Sequence, residues 1–383
     1  MIYLDYHATT PTDPRVAEKV LSYMTESFGN ASSTDHAAGD RAEAAIKAAT
    51  RHVAHLIGAA PRDITFTSGA TESLNLAIQG TILHREQQRH DDTPRVAVSA
   101  IEHSAVLDTC RALQAQGRLH LETLPVDPQA RLDRIALEQA CDRGLDLLCV
   151  MAASNEVGTI YPIEKIAAIA QAHRVPFLCD ASQAVGKVPL HFSDWGITML
   201  ALSAHKLYGP QGVGALAVRR GHPLAPLVYG GGQQQGLRPG TLNLPGIVGL
   251  GEACRLRSLE MAQDEAEIAQ KRDRLQQLLS DRIPQLVVNG DRSHCLAGNL
   301  HVSIPGIPNG AVVARVRHQL AISTGAACAS GGAPSHVLSA MNLPEPHIEG
   351  ALRIGLGKFT TEAEVDQAAE LLGRTVADIA RLL

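Results

Sequence analysis

Leu202-Ser203-Ala204-His205-Lys206-Leu207-Tyr208-Gly209-Pro210 closes the apolar run Ile197-Thr198-Met199-Leu200-Ala201-Leu202. A short run of β-compatible residues reads as a buried strand. Lys206 leaves the end of that strand, in a turn closed by Gly209-Pro210. Charged groups are seldom buried without a partner. An amine held beside a core, near His205⁺ or another cation, has a lowered pKa and can form a Schiff base. Alone, Lys206 also reads as a loop lysine with its head in water. Its neighbours along the chain decide between the two.

Working outward, Ile64-Thr65-Phe66-Thr67 reads as a strand running into Ser68-Gly69-Ala70-Thr71-Glu72-Ser73 and then a helix. Strand, small-residue turn and helix start make an anion site, because free N–H groups and the helix dipole meet there. A capping box built on Ser68 and Glu72 is the plainer alternative. Val96-Ala97-Val98-Ser99 is followed by Ile101-Glu102-His103-Ser104, whose histidine can stack on a planar ligand or cap the next helix. The run 145–152 ends at Ser154-Asn155-Glu156, and Pro176-Phe177-Leu178-Cys179 ends on Asp180-Ala181-Ser182-Gln183. Nearly all-apolar strands alternating with helices predict a parallel sheet covered on both faces. In such sheets ligands bind beyond the carboxyl ends of the strands. Thr71, His103, Asn155, Asp180, Gln183, Ser203, His205 and Lys206 all fall at such ends, which predicts one shared site.

The flanks are less regular. Residues 4–14 read as an extended arm, in which Tyr6-His7-Ala8-Thr9-Thr10 either lines the site or straps down the terminus. Gly212 to Val218 reads as a further strand, its sense left open with antiparallel one reading, before a glycine-rich loop, 230–241. Residues 244–283 read as helix, and the domain boundary is placed on it. Beyond lie a strand-like run, 300–304, a helix-like run, 311–320, and Leu352-Arg353-Ile354-Gly355, whose arginine needs an anionic partner. Between them, Ser323-Thr324-Gly325-Ala326-Ala327-Cys328-Ala329-Ser330 sets a cysteine among small residues, where a thiol is exposed and free to react.

Composition narrows the classes. The 383 residues suffice for a large core and two domains, and 45% are hydrophobic against 19% charged. A net charge of −5 leaves no basic footprint for nucleic acid. No apolar run is long enough to span a bilayer, and residues 1–7 lack the features of a signal peptide. Seven scattered cysteines without a C-x-x-C pair predict a reducing cytoplasm, and no zinc-type spacing of Cys and His occurs. No metal is expected.

Taken together, Thr67-Ser68-Gly69-Ala70-Thr71-Glu72-Ser73, the His205-Lys206 stretch and the loop from Gly325 to Cys328 resemble the cysteine desulfurases. These belong to the class V aminotransferases, fold type I of the pyridoxal 5′-phosphate enzymes. The likeness covers nearly the whole chain, and the cysteine loop is similar to that of the long-loop branch. The resemblance implies an α/β fold. A large domain, 16–255, would hold a mainly parallel sheet of the seven-stranded type covered by helices. A smaller α+β domain, 1–15 and 256–383, would carry the cysteine loop.

The resemblance also implies residue roles. Lys206 resembles the lysine that holds the cofactor covalently, Asp180 the carboxylate on the pyridine nitrogen, and Gln183 the partner of the ring hydroxyl. His103 resembles the residue stacked on the ring, and is expected to be catalytic with Lys206 and Cys328. Ala70, Thr71, Ser203 and His205 resemble the phosphate cup. Thr241 resembles a residue reaching the phosphate of a second subunit, which implies a homodimer. Asn155 and Arg353 resemble the clamp on the substrate carboxylate, and Cys328 the nucleophile that becomes a persulfide as L-cysteine is converted to L-alanine. The sulfur would pass to an acceptor protein of iron–sulfur assembly, tRNA thiolation or DNA phosphorothioation. Gln234-Gln235 departs from the family, where an acidic-basic pair is common, and Pro239 replaces the usual serine. A selenocysteine lyase or another β-lyase on the same cofactor is the alternative enzyme. A binding scaffold without turnover is the alternative of a different class.

Overall fold

The computed structural model describes residues 1–88, 93–324 and 334–383. Its strands, in chain order, are β1 (Ile2–Tyr3), β2 (Ile64–Thr67), β3 (Arg95–Ser99), β4 (His120–Leu124), β5 (Leu147–Met151), β6 (Phe177–Asp180), β7 (Met199–Ser203), β8 (Gly214–Val218), β9 (Val287–Val288), β10 (Asn299–Ser303), β11 (Leu320–Ala321) and β12 (Ala351–Gly355). Seven of them form one sheet in the order β2-β8-β7-β6-β5-β3-β4. Only β8 runs against its neighbours, β2 and β7; the other pairs are parallel.

The central strands are apolar because both of their faces are covered. In β5, Leu147 and Cys149 pack with Leu74, Ile78 and Ile82 of the helix Ala70–Gln88 on one face. Leu148 and Val150 pack with Val53, Ile57, Ile166 and Ile247 on the other. At the sheet edge β4 is different. His120 and Thr123 are exposed and only Leu124 is buried, so this strand lacks the apolar run that marks its neighbours.

A second, smaller sheet, β12-β10-β9, is antiparallel. Leu300, Val302, Leu352 and Ile354 point from it into a separate core with Leu4, Val365, Leu372 and Val376. The opposite face of the sheet is polar. It carries Asn299, His301 and Ser303 on β10 and Arg353 on β12, all buried. It meets the large sheet's loops: Asn299 Nδ2 donates to the Glu156 carbonyl at 3.0 Å, and Arg353 donates to the Asn155 carbonyl at 3.1 Å.

One helix, Leu244–Arg282, belongs to both cores. Its 39 residues measure roughly 58 Å at 1.5 Å each. Ile247, Leu250 and Leu256 enter the large core, while Ile268, Leu275 and Leu279 enter the small one. The expected boundary at 255 therefore falls within unbroken helix. Asn243 caps its start by accepting from the Gly246 amide at 3.2 Å.

Candidate active site

The carboxyl ends of β2, β3, β5, β6 and β7 open on the same side of the large sheet, since these strands share one direction. At the end of β7, Ser203 passes into a single 3-10 turn, Ala204–Lys206. Tyr208 then takes a left-handed conformation, φ +66°, which turns the chain sharply back. Thr10 Oγ1 secures this turn by donating to the His205 carbonyl at 3.0 Å and accepting from the Tyr208 amide at 2.9 Å.

Lys206 therefore projects under the N-terminal arm. Its Nζ donates to the carbonyls of His7 and, at 2.8 Å, Ala8. Thr9 Oγ1 lies 3.0 Å from His205 Nδ1. The arm thus both straps the terminus and lines the site. His205 is a correction to the sequence reading. Burial, with the charges of Lys206 and Lys187, lowers its pKa to about 4, so it is neutral at pH 7. The cations around the site are Lys187, Arg353 and Lys206 itself; all three, after burial, depress the pKa of His7.

The anion cradle forms where β2 ends. Thr67 and Ser203 flank the same residue of β8, Gly214. A side chain on Gly214 would strike the Leu202 carbonyl at 2.5 Å and Gly69 Cα at 2.7 Å, so glycine permits this approach. A methyl group on Gly69 would lie 3.8 Å from Ser203 Oγ. Ser203 is therefore beside the start of the helix Ala70–Gln88, with Ala70 and Thr71 in its first turn. Thr71 is exposed, as a hydroxyl offered to an anion must be. The capping alternative holds in part: Glu72 accepts from the Ser68 amide at 2.6 Å and pairs with Arg238 at 2.8 Å.

Asp180 ends β6, next to Ala201 of β7, and is buried. Ser182 holds its Oδ1 through the amide at 3.0 Å and the hydroxyl at 2.6 Å. Gln183 is buried against His7, donating to its carbonyl at 2.9 Å. His103 caps the helix Ser104–Ala115: its Nδ1 accepts from the Ala105 amide at 3.1 Å. Capping fixes the ring's orientation, so the two sequence alternatives for His103 are compatible.

Asn155 and Arg353 also meet. Arg353 donates to the Asn155 carbonyl, and it pairs with Asp5 at 3.0 Å, the anionic partner its burial requires. Its Nε has no partner among the described residues. Glu156, next along, accepts from Ser335 Oγ at 2.5 Å, and burial raises its pKa to about 7. Thr241 is exposed ahead of the long helix and makes no side-chain hydrogen bond among the described residues. Cys328 lies outside the described residues.

Two groups escaped the sequence reading, Lys187 and the buried Glu102. Lys187 bonds Gln183 four residues away, and Glu102 bonds Ser99 nearby and Met151 farther on, but no local pattern marks either one. Among the described residues, no group of three or more His, Cys, Asp or Glu side chains is placed to hold a metal ion.

This arrangement fits pyridoxal 5′-phosphate. It places an amine, a buried carboxylate, a side-chain amide and a helix start beside Ser203 on one side of the sheet, groups that could hold the cofactor's aldehyde, ring nitrogen, ring hydroxyl and phosphate. The family model of class-V aminotransferases matches residues 2–368. The cysteine desulfurase IscS of Anaeromyxobacter sp. (strain Fw109-5) is 44% identical over 97% of this chain and 91% of its own. Human cysteine desulfurase is 41% identical over 96% of this chain and 80% of its own. A solved NifS-like protein superposes with a TM-score of 0.91 at 32% identity, covering 98% of this chain and 99% of the other. The chain belongs to the class-V aminotransferase family and, within it, to the pyridoxal-phosphate-dependent cysteine desulfurases.

Proposed function

We propose that the desulfurase reaction on L-cysteine is carried by Lys206, Asp180, Gln183, His103, Asn155, Arg353 and Cys328. The single observation that best supports this is that Lys206, Asp180, Gln183, His103 and Asn155 all follow carboxyl ends of parallel strands on one side of the large sheet, with Arg353 bonded to the Asn155 carbonyl. Bound pyridoxal phosphate supplies an electron sink for the amino acid's α-carbon. Asp180 keeps the ring nitrogen protonated, and the Ser182 bonds hold its carboxylate in place. Arg353 and Asn155 receive the substrate carboxylate, with Asp5 orienting the guanidinium. Lys206 moves the α-proton, at an amine kept among other cations. Cys328 attacks the substrate sulfur as a thiolate. The carbon–sulfur bond breaks with its electron pair kept by carbon, which takes up a proton, and alanine leaves. The sulfur stays on Cys328 as a persulfide.

The thiols elsewhere support the choice of Cys328. Burial pushes Cys110 up to about 12 and Cys141 and Cys295 to about 11, and raises Cys149, Cys179 and Cys254 as well. None of these is a competent thiolate near neutral pH. The test is Cys328→Ala. It is expected to keep the cofactor's visible colour and to form no persulfide, by mass spectrometry after incubation with L-cysteine. Full persulfide and alanine yield in this variant would remove Cys328 from its role.

The molecule works as a homodimer in this reading. Support comes from the exposure of Thr241 and from Val228 and Tyr229, large apolar side chains that are 58% and 82% exposed beside the glycine-rich loop. The persulfide passes to an acceptor protein of iron–sulfur assembly, tRNA thiolation or DNA phosphorothioation, in the cytoplasm. No helix among the described residues is long and apolar enough to cross a membrane. The division into a large domain, 16–255, and a small one, 1–15 and 256–383, is supported by the separate core of the small sheet, while Leu296, Val337, Leu338, Met341 and Ala351 of the second segment pack into the large core.

A further inference from the structure

Gln183 is held from both ends of its amide. Nε2 donates to the His7 carbonyl at 2.9 Å, and a carbonyl oxygen can only accept. The amide nitrogen therefore faces the His7 carbonyl, and Oε1 lies toward the His7 ring and Lys187. There it accepts from Lys187 Nζ at 3.0 Å and lies 3.3 Å from His7 Nδ1. The same His7 carbonyl accepts from Lys206 Nζ. One side-chain amide and one peptide carbonyl thus join Lys187 to Lys206. Nε2 has a second hydrogen besides the one given to the His7 carbonyl.

Lys187 is itself firmly placed. Arg257 is 1% exposed and donates its Nε to the carbonyl of Gly186, the residue before it, at 2.7 Å. The Arg257 fork is taken by Asp264 and, at 2.8 Å, Glu265. The charged and titratable groups that face Lys187 are Glu265 and Arg257 from the long helix, Lys206 after β7, Arg353 from β12 and His7 from the arm. Burial lowers the Lys187 pKa and raises that of Glu265, which opposes it. Charged or neutral, the Lys187 amine can donate to Oε1. The reactive chemistry assigned above has no need of this second lysine, yet it lies one hydrogen bond from a cofactor-binding side chain.

We propose that Lys187 is a positioning residue for the cofactor, fixing the Gln183 amide so that its nitrogen is presented to the ring hydroxyl. This rests on the assignment of Lys206 and Gln183 to the cofactor. With Lys187 removed, only the His7 carbonyl opposes a turn of the amide, which sets its oxygen against the hydroxyl oxygen. That disfavours the deprotonated, more negative form of the bound cofactor. The midpoint of the pH-dependent change in its visible absorption then moves up.

The experiment is a spectrophotometric pH titration of the holoprotein, for the wild type, Lys187→Met, Lys187→Arg, Gln183→Leu and the Gln183→Leu/Lys187→Met double variant. Lys187→Met is expected to raise the midpoint by about one pH unit, and Lys187→Arg to restore most of it. Gln183→Leu is expected to shift it similarly, with Lys187→Met adding nothing further in the double variant. An unmoved midpoint in Lys187→Met, or additive shifts in the double variant, would overturn the proposal. If Lys187→Met does not fold, Lys187→Ala, which also lacks a donor for Oε1, is read in its place: a raised midpoint supports the role, and a wild-type midpoint overturns it. Borohydride reduction with peptide mass mapping separates the two levels of failure. No adduct on Lys206 removes the cofactor assignment itself; an adduct on Lys206 with an unmoved midpoint removes only the role of Lys187.

Discussion

Glu102 shows how far burial alone can move a group. It has no exposed surface, and among the described residues only Oε1 is hydrogen-bonded, accepting from Ser99 Oγ at 2.5 Å and the Met151 amide at 2.9 Å. Burial raises its pKa from 4.5 to about 8, against the pull of those two hydrogen bonds. Between these values the folded protein keeps a proton that the unfolded chain releases. The stabilisation from the neutral acid is thus full below the unfolded pKa and lost as pH rises through the folded one. Glu102→Gln has no such proton to lose. Its stability relative to the wild type is expected to rise between pH 5 and pH 8, by about 1–3 kcal/mol. Urea unfolding across that range checks this; an offset independent of pH would contradict it. At this scale the sequence was readable where a polar residue follows an apolar strand, as with Lys206 and Asp180. It was silent on Lys187, whose link to the site runs through Gln183 to an arm about 180 positions away.

Among the elements, β2 forms one edge of the large sheet, opposite β4. Gln234 closes part of it with a side chain in place of a strand. Its Oε1 accepts from the Phe66 amide at 2.6 Å, and its Nε2 donates to the Phe66 carbonyl at 2.9 Å. Gln234 and its neighbour Gln235 sit at positive φ, +49° and +60°, to make this reach. The departure from the family pattern at this position therefore has a local structural use. Gln234→Ala is expected to lower stability by about 1–2 kcal/mol, read from the urea midpoint, since two backbone groups lose their partners. An unchanged midpoint would show that water replaces the amide without cost. The buried strands were legible to within a residue or two because both of their faces are covered. β4 was not, because half of it faces water and its pattern merges with that of a loop.

For the whole molecule, the helix Leu244–Arg282 makes one rod of two cores, and the polar face of the small sheet is pressed against the site by Arg353, Asn299 and their partners. The small domain therefore contributes a buried cation to a site otherwise built on strand ends, which composition and periodicity could not reveal. Sedimentation is expected to give twice the chain mass, and Thr241→Ala to weaken cofactor retention about tenfold through one lost phosphate hydrogen bond. A monomer that retains full activity would contradict the shared site. The central claim is that the Lys206 amine is the covalent anchor of the cofactor. Borohydride reduction of the holoprotein followed by peptide mass mapping tests it directly. The account predicts a single pyridoxyl-phosphate adduct, on Lys206, and none in Lys206→Ala; an adduct on another lysine, Lys187 included, or no adduct at all would contradict it.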